Sequence, residues 1–270
     1  LKTKMPWGIP VPGDDEHVMY VWFDALTNYI STLGWPENIE TFEKYWTNGT
    51  PTQYCGKDNT RFQGAMWQAM LIAADLPNSH QIVVNGFITG DGGVKMSKTI
   101  GNVVDPKEIA TDYGVDALRF FLLKEVSSFE DSPFSRERFV ESYNAHLANG
   151  IGNLTSRVMK MATTNFDHAI SVSGERLPGF DEKMNDFLIK EAADIIFSEV
   201  KALDEKIAGT EPFKLVKTDP AKGKEIIEEL VRRLYRIALS LEPLLPETSS
   251  KIRKIITSHQ MPEAPLFERK

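Results

Sequence analysis

Apolar positions in this chain follow two different periods, and the change between them comes near residue 130. Before it, short runs alternate in type. VMYVW (18–22), TQYC (52–55) and QIVVNGFI (81–88) are β-branched or aromatic runs of strand length, whereas DALTNYISTLG (24–34) and RFQGAMWQAMLIAADL (61–76) carry helix-like spacing. Strands alternating with helices predict a parallel α/β sheet. Pro6, Pro10, Pro12 and Gly13 mark the entry as a loop, and Gly49 with Pro51 punctuate the approach to TQYC.

From Phe139 onward the period is helical throughout. Phe139, Tyr143, Leu147, Ile151, Leu154, Val158 and Met161 advance by four or three residues and predict one apolar stripe on a long helix. A second helix is predicted over 182–207, with Met184, Leu188, Ile196, Val200, Leu203 and Ile207 inward. A third carries Leu230, Val231, Leu234, Ile237, Ala238 and Leu241 up to the break at Pro243 and Pro246, and a fourth runs to about Ile256. Such stripes need one another to be buried, so this half reads as an antiparallel helix bundle. SSFEDSPFSRE (127–137) is the predicted junction, giving domains 1–130 and 131–270.

Composition narrows the class. At 270 residues, 41% apolar and 26% charged, the chain buries a sizeable core. No apolar run approaches the roughly 20 residues of a membrane helix, and LKTKMPWGIPVPGDD has no signal-peptide core, so no membrane partner is expected. One cysteine, Cys55, excludes an internal disulfide framework or a cysteine-rich zinc site and points to the cytoplasm. A net charge of -7 argues against holding nucleic acid by bulk charge, so any such partner must be met by local contacts.

One local pattern runs against that acidity. GGVKMSKTIGN (92–102) sets Lys95 and Lys98 around Met96 and Ser97 in a glycine-flanked loop without a carboxylate. Lysines in a loop are ordinarily solvated. A movable pair can also close over a polyphosphate, and contacts that complete themselves as charge develops accelerate a reaction. The Gly-Asp-Gly-Gly turn before the loop suits positive φ.

The loop resembles the Lys-Met-Ser-Lys-Ser signature of class I aminoacyl-tRNA synthetases, with Thr99 in the fifth place. YVWFDALTNYI (20–30), YCGKDNTRFQGAMWQAML (54–71), GVKMSKTIGNVVDP (93–106) and YGVDALRFFLL (113–123) resemble the methionyl branch of that family, over nearly the whole chain. The resemblance implies half of a Rossmann-like nucleotide-binding domain with parallel strands, followed by an all-α anticodon-binding bundle. It further implies that ATP and methionine give methionyl-adenylate and pyrophosphate, and that the methionyl group then passes to tRNA(Met). Mg2+ is expected with the nucleotide, and no zinc within the chain.

On the same resemblance, Lys95, Ser97 and Lys98 meet ATP phosphates, Lys98 being placed to stabilise charge at the α-phosphate. Gly56 and Asp58, at a strand-to-helix turn, approach the nucleotide, although Asp58 also reads as a plain N-cap. Trp22, Ala25, Tyr29, Phe62, Gln63 and Trp67 form the methionine pocket, although each aromatic taken singly reads as ordinary core. Gln63 stands where better-known members carry histidine, and Leu26 where several have proline. Asn149, Asn153 and Arg157, on the outer side of the long helix, match anticodon contacts, as does Phe213 in place of a more usual tryptophan. Taken alone, those polar residues read as a solvated surface. Asp116 and Arg119 are spaced for an i, i+3 ion pair.

A complete class I synthetase also carries a His-Ile-Gly-His-like motif and a connective insertion. His17, His80, His146, His168 and His259 have no such neighbours, so the chain is expected to be a C-terminal part needing the N-terminal half of the catalytic domain as partner, and inactive alone. Two alternatives stand beside this. One is a non-catalytic tRNA-binding module using Asn149, Asn153, Arg157 and Phe213; the other is a related class I synthetase for another aliphatic amino acid, which the large aromatics disfavour.

Overall fold

The computed structural model of the chain describes residues 7–94, 96 and 103–270, and it divides into two compact units, Leu1–Gly86 and Phe87–Lys270. In the first, β1 (Pro10–Val11) and β2 (Asp14–Val18) pair antiparallel around Pro12 and Gly13, the latter at φ +80°. Glycine tolerates that conformation without strain, and the expected entry loop therefore folds back into paired strands. The strand predicted over 18–22 does not form. Val18 ends β2, and α1 (Val21–Ala25) begins three residues later. A short apolar run does not distinguish a strand from a buried helical turn by period alone. Here the backbone remains helical through Leu26 and Thr27 into α2 (Asn28–Ser31), which puts Trp22, Leu26, Tyr29 and Ile30 on one side.

After α3 (Ile39–Phe42) and a wider π turn at Glu43–Thr47, β3 (Thr52–Gly56) pairs parallel with β4 (Gln81–Asn85), from Thr52 opposite Gln81 to Gly56 opposite Asn85. Parallel neighbours require a crossover. It is supplied by the π-wound segment Arg61–Met66 and α4 (Trp67–Ala73), so both the predicted helix over 61–76 and the parallel α/β arrangement are present. Leu26, Ile30, Phe42, Trp46, Trp67 and Leu71 make the core of this unit.

The second unit opens on β5 (Ile88–Thr89), which pairs parallel with β6 (Ser132–Pro133). Between them lie α5 (Pro106–Tyr113), whose first turn is capped by Asp105 Oδ1 accepting from Lys107 N at 2.8 Å, and α6 (Val115–Phe120), which widens at Phe121–Glu125. The long predicted helix is real but not uniform. It runs as α7 (Arg136–Ser142), a π-wound stretch Tyr143–Gly152 with Gly150 at ψ -108°, and α8 (Asn153–Asn165). All seven positions of its predicted stripe are buried.

The helix predicted over 182–207 is broken into α9 (Phe180–Asn185) and α10 (Ile189–Thr210), because Phe187 sits at φ +60°. A further helix that the periodicity did not predict, α11 (Pro212–Thr218), precedes α12 (Pro220–Leu241) and α13 (Pro246–Thr257). Close approach of α11 to α12 requires Gly223: a Cβ there would stand 2.6 Å from Val216 N.

Ile109, Ala117, Phe120 and Phe121 share one core with Phe139, Leu154 and Leu234, so packing divides the chain well before the expected junction at 127–137. The cause is the amphipathic character of α5 and α6, which bury against helices. Asp116 and Arg119 serve the same packing, and not by pairing with each other. Asp116 Oδ2 accepts from Thr248 N and Oγ1, both at 2.7 Å, while Arg119 donates to Leu244 O at 2.7 Å and Pro243 O at 2.9 Å. Among the described residues no helix is long and apolar enough to cross a membrane.

Candidate functional site

Three parts of the predicted pocket meet in the first unit because α1, α2 and the segment 61–67 converge. Trp22 on α1 stacks on Phe62, rings 4.4 Å apart and 4° from parallel, and Tyr20 tilts against the same Phe62 at 6.0 Å. Tyr29 on α2 lies 5.9 Å from Trp67, which in turn meets Trp46 edge-on. Ala25 ends α1 and is half-buried. Offset and tilted pairs of this kind add to the burial of the rings, and they leave an apolar, polarisable wall.

Gln63 is the polar member. It is buried, with Oε1 accepting from Gln53 Nε2 at 2.7 Å and Nε2 donating to Tyr29 Oη at 2.6 Å. Gln53 accepts from Ser79 Oγ at 2.5 Å, and Gln68 bonds the Gln63 carbonyl, Ser79 and Asn78. Sequence reasoning missed Gln53, Gln68 and Ser79. The available signal was weak: Gln53 alternates with Cys55 on one face of β3, so both point inward. Trp67 Nε1 is buried with no partner among the described residues.

The strand-to-helix turn is as expected in outline. Gly56 closes β3 in extended conformation, and a tight turn Lys57–Asn59 leads toward the helix. Asp58 lies inside that turn, exposed, and not at a helix N-cap. Its carboxylate makes itself felt at Cys55, whose thiol is pushed up by burial first and by the Asp58 charge second. Lys95, Ser97 and Lys98 lie outside the described residues. The turn leading to them is described: Gly92 and Gly93 have φ +70° and +77°, and Gly90 N bonds Val94 O at 2.7 Å.

In the second unit, Arg157 and Phe213 face one cavity of about 400 Å³ that Lys160, Ile207 and Met261 also line. Arg157 is held there by Asp204, with Nη1 to Oδ1 at 2.6 Å, leaving its other donors unused by that bond. Phe213 is 45% exposed at the start of α11. Asn149 and Asn153 are exposed on the same helical run, facing outward as their spacing predicts, but do not line that cavity. Lys160 and Met261 went unnoticed in the sequence, the latter lying in an irregular segment after α13.

A family model described as tRNA synthetases class I (M) matches residues 1–159. The chain belongs to that family. Among relatives of this class I synthetase chain, the methionine–tRNA ligase of Brucella melitensis biotype 1 is 36% identical over 271 residues, which covers 95% of the chain and 52% of the relative. The Bacillus subtilis enzyme of that name is 37% identical over 270 residues, covering 93% and 40%. Mycobacterium tuberculosis methionyl-tRNA synthetase bound by methionyl-adenylate superposes with a TM-score of 0.80 at 31% identity, over 94% of the chain and 53% of that protein. Its apo form gives 0.80 at 27% identity, over 98% and 58%. The chain thus spans about half the length of the curated relatives it matches.

Proposed function

We propose that this chain is the C-terminal part of a methionine–tRNA ligase. In that reading methionine and ATP give methionyl-adenylate and pyrophosphate, the methionyl group passes to tRNA(Met), and the N-terminal half of the catalytic domain completes the site. The observation that carries the reading is the contact of Trp22 with Phe62 and of Tyr29 with both Trp67 and, by a 2.6 Å hydrogen bond, Gln63. An unbranched thioether fits an aromatic slot with one polar end, because sulfur gains from ring contacts and accepts a hydrogen bond weakly. The methionyl-adenylate in the Mycobacterium tuberculosis neighbour supports the same ligand class.

The roles follow from the chemistry. The methionine carboxylate attacks the α-phosphate, and Lys98, aided by Lys95 and Ser97, stabilises the charge that develops there. Mg2+ travels with the triphosphate, in keeping with its preference for phosphate oxygens. Among the described residues no three carboxylate, imidazole or thiol groups gather to hold a metal by themselves. Gly56 leaves room at the turn, and the exposed Asp58 carboxylate suits ribose hydroxyls. In this reading residues 1–130 are the half nucleotide-binding domain and 131–270 the anticodon-binding domain. There Arg157 and Phe213 meet an unpaired base, while Asn149 and Asn153 supply amides for base edges. One buried free cysteine, Cys55, accords with the cytoplasm.

An unfinished surface supports the need for a partner half. Trp7, Val21 and Phe23 are 79%, 67% and 62% exposed, and Ile9, Met19 and Tyr20 are exposed beside them in sequence. The test is complementation. Methionine-dependent ATP–pyrophosphate exchange is expected when the N-terminal half is added, and Lys98→Ala should lower it by about 10²–10³. Exchange by the isolated chain at the rate of an intact synthetase would overturn the incompleteness. No exchange from the combined halves would sink the ligase reading.

A further inference from the structure

β5 and β6 share a ladder of two residues each, with Ile88 beside Ser132 and Thr89 beside Pro133. So short a pairing is marginal by itself, yet it leads straight into the turn Gly90–Val94 and the two lysines beyond. Further bonds hold it, and their donors are all main-chain N–H groups, so their direction is fixed. Phe87, just before β5, is gripped at both of its main-chain polar groups. Its N–H donates to Asp131 Oδ1 at 2.7 Å, and its carbonyl accepts from Ser132 N at 2.9 Å. Thr89 O then accepts from Phe134 N at 2.8 Å.

The gripping segment is itself braced. Ser127 N donates to Ser132 Oγ at 2.9 Å and Glu130 N to Ser127 Oγ at 3.2 Å, which draws 127–132 into a closed loop. Arg138, on α7, donates through Nη1 to Pro133 O at 2.7 Å and through Nη2 to Glu125 O at 3.1 Å, so one guanidinium spans both ends of the segment. Phe134 is buried against Phe121 and Phe139, with ring centres 5.1 and 6.2 Å away. Anchored in this way on the helical core, 125–134 holds one short strand, and that strand ends where the turn to the lysines begins. Asp131 is exposed, so its carboxylate is not needed to fill the core.

We propose that Asp131 is a positioning residue for the lysine loop, acting through Phe87 to fix the point from which Lys95 and Lys98 reach the triphosphate. The proposal rests on the ligase reading and adds to it a residue outside the 92–102 motif. A cation that stabilises charge as it develops has to be placed closely, and a misplacement of about 1 Å can cost on the order of 10²-fold in rate. A carboxylate is suited to such a hold, since hydrogen bonds to an ionised acceptor are stronger than those between neutral groups. Arg138 supports the same segment from α7. A lysine there, with a single nitrogen, could not span Pro133 O and Glu125 O in the same planar fork.

Three substitutions separate the bond from its surroundings. Asp131→Ala removes the acceptor of Phe87 N, Asp131→Asn keeps an acceptor oxygen, and Glu130→Ala removes a neighbouring exposed charge without touching that bond. The first readout needs no ligand and no partner: amide hydrogen exchange at Phe87 in the 270-residue chain. The second is methionine-dependent ATP–pyrophosphate exchange by the chain combined with the N-terminal half, read as kcat and as the KM for methionine. The third is the same assay in a Lys98→Ala background. A residue that acts by placing Lys98 loses most of its effect there, whereas a merely structural one keeps it.

The expected result for Asp131→Ala is amide exchange at Phe87 about tenfold faster and a kcat about tenfold lower, with the KM for methionine unchanged. Asp131→Asn should recover most of both, Glu130→Ala should change neither, and Arg138→Lys should lower kcat by a smaller factor. In the Lys98→Ala background the further loss from Asp131→Ala should be less than about twofold. Unchanged amide exchange at Phe87 overturns the proposal, as would the same losses in Glu130→Ala, which would assign them to charge. Faster amide exchange with full kcat, or a kcat loss that persists undiminished without Lys98, overturns the positioning role while the ligase reading stands. Absence of pyrophosphate exchange from the unaltered halves removes the ligase reading and this proposal with it.

Discussion

The two compact units bury apolar surface to very different degrees. In Phe87–Lys270, Phe139, Leu147, Ile151, Leu234 and Ile237 all have no exposed surface, and the core runs through every helix from α5 to α13. In Leu1–Gly86 six buried residues make the core, while Trp7, Ile9, Met19, Tyr20, Val21 and Phe23 stay exposed. Helical stripes can close on one another, since each brings a single face. Parallel sheets are usually covered on both faces, and among the described residues β3 pairs with β4 alone. The difference teaches that helices close their apolar faces on one another in the second unit, whereas the first unit leaves several large apolar side chains in solvent.

The sharpest way to break this comparison is to substitute one apolar residue in each unit. Phe139→Ala should cost about 3–5 kcal/mol in chemical denaturation, because a fully buried ring is replaced by a cavity. Val21→Thr should change stability by no more than about 0.5 kcal/mol, as for surface positions generally. Comparable losses at both sites would mean that the first unit is as closed as the second. If the proposed N-terminal half covers this surface, adding it should shrink the contrast.

A smaller effect separates packing from polar clamping inside the helical unit. Asp116 is buried and its Oδ2 serves both Thr248 N and Thr248 Oγ1 at the start of α13. Asp116→Ala leaves those two donors without an acceptor, for which about 1–3 kcal/mol is expected. Asp116→Asn keeps one acceptor oxygen and should recover part of the loss. Equal stability of all three proteins would show that α13 is held by its apolar face alone.

These contrasts also explain what could be read in advance. The stripe from Phe139 to Met161 was legible because burial on a helix follows period, and local widening at Tyr143–Gly152 did not move any stripe residue outward. The break at Phe187 was not legible, since a positive φ at phenylalanine has no glycine or proline to announce it. VMYVW misled because strand and helical turn share its composition. At the candidate site, Trp22, Tyr29, Phe62, Gln63 and Trp67 were named through family resemblance, and the structure joins Trp22 to Phe62 and Tyr29 to Trp67 and Gln63. Gln53, Gln68 and Ser79 were invisible because each is an ordinary polar residue on a strand, a helix or a turn. Only the crossover between β3 and β4 makes them neighbours. Arg157 and Phe213 likewise share a cavity only through the fold, one lying on α8 and the other on α11.

The smallest expected effect lies where the helical unit departs from an all-apolar interior. His146, on the π-wound segment, is half-buried between the rings of Phe120 and Phe197, at 5.8 and 5.6 Å. Its imidazole is held below the usual histidine range, first by burial and then by the Lys124 cation, against the opposing pull of Glu125 and Asp194. A folded-state value below the unfolded one means that the unfolded chain takes up the proton more readily. Stability supplied by neutral His146 is therefore fully present above about pH 6.5, the ordinary histidine value, and is lost as pH falls through the depressed one. His146→Gln should flatten that acid-side decline in urea midpoints between pH 7 and pH 5, with little change at pH 8. A decline of equal steepness in the variant would assign it to carboxylates. The helical unit's interior would then be as indifferent to protons at this point as it is along its apolar stripes.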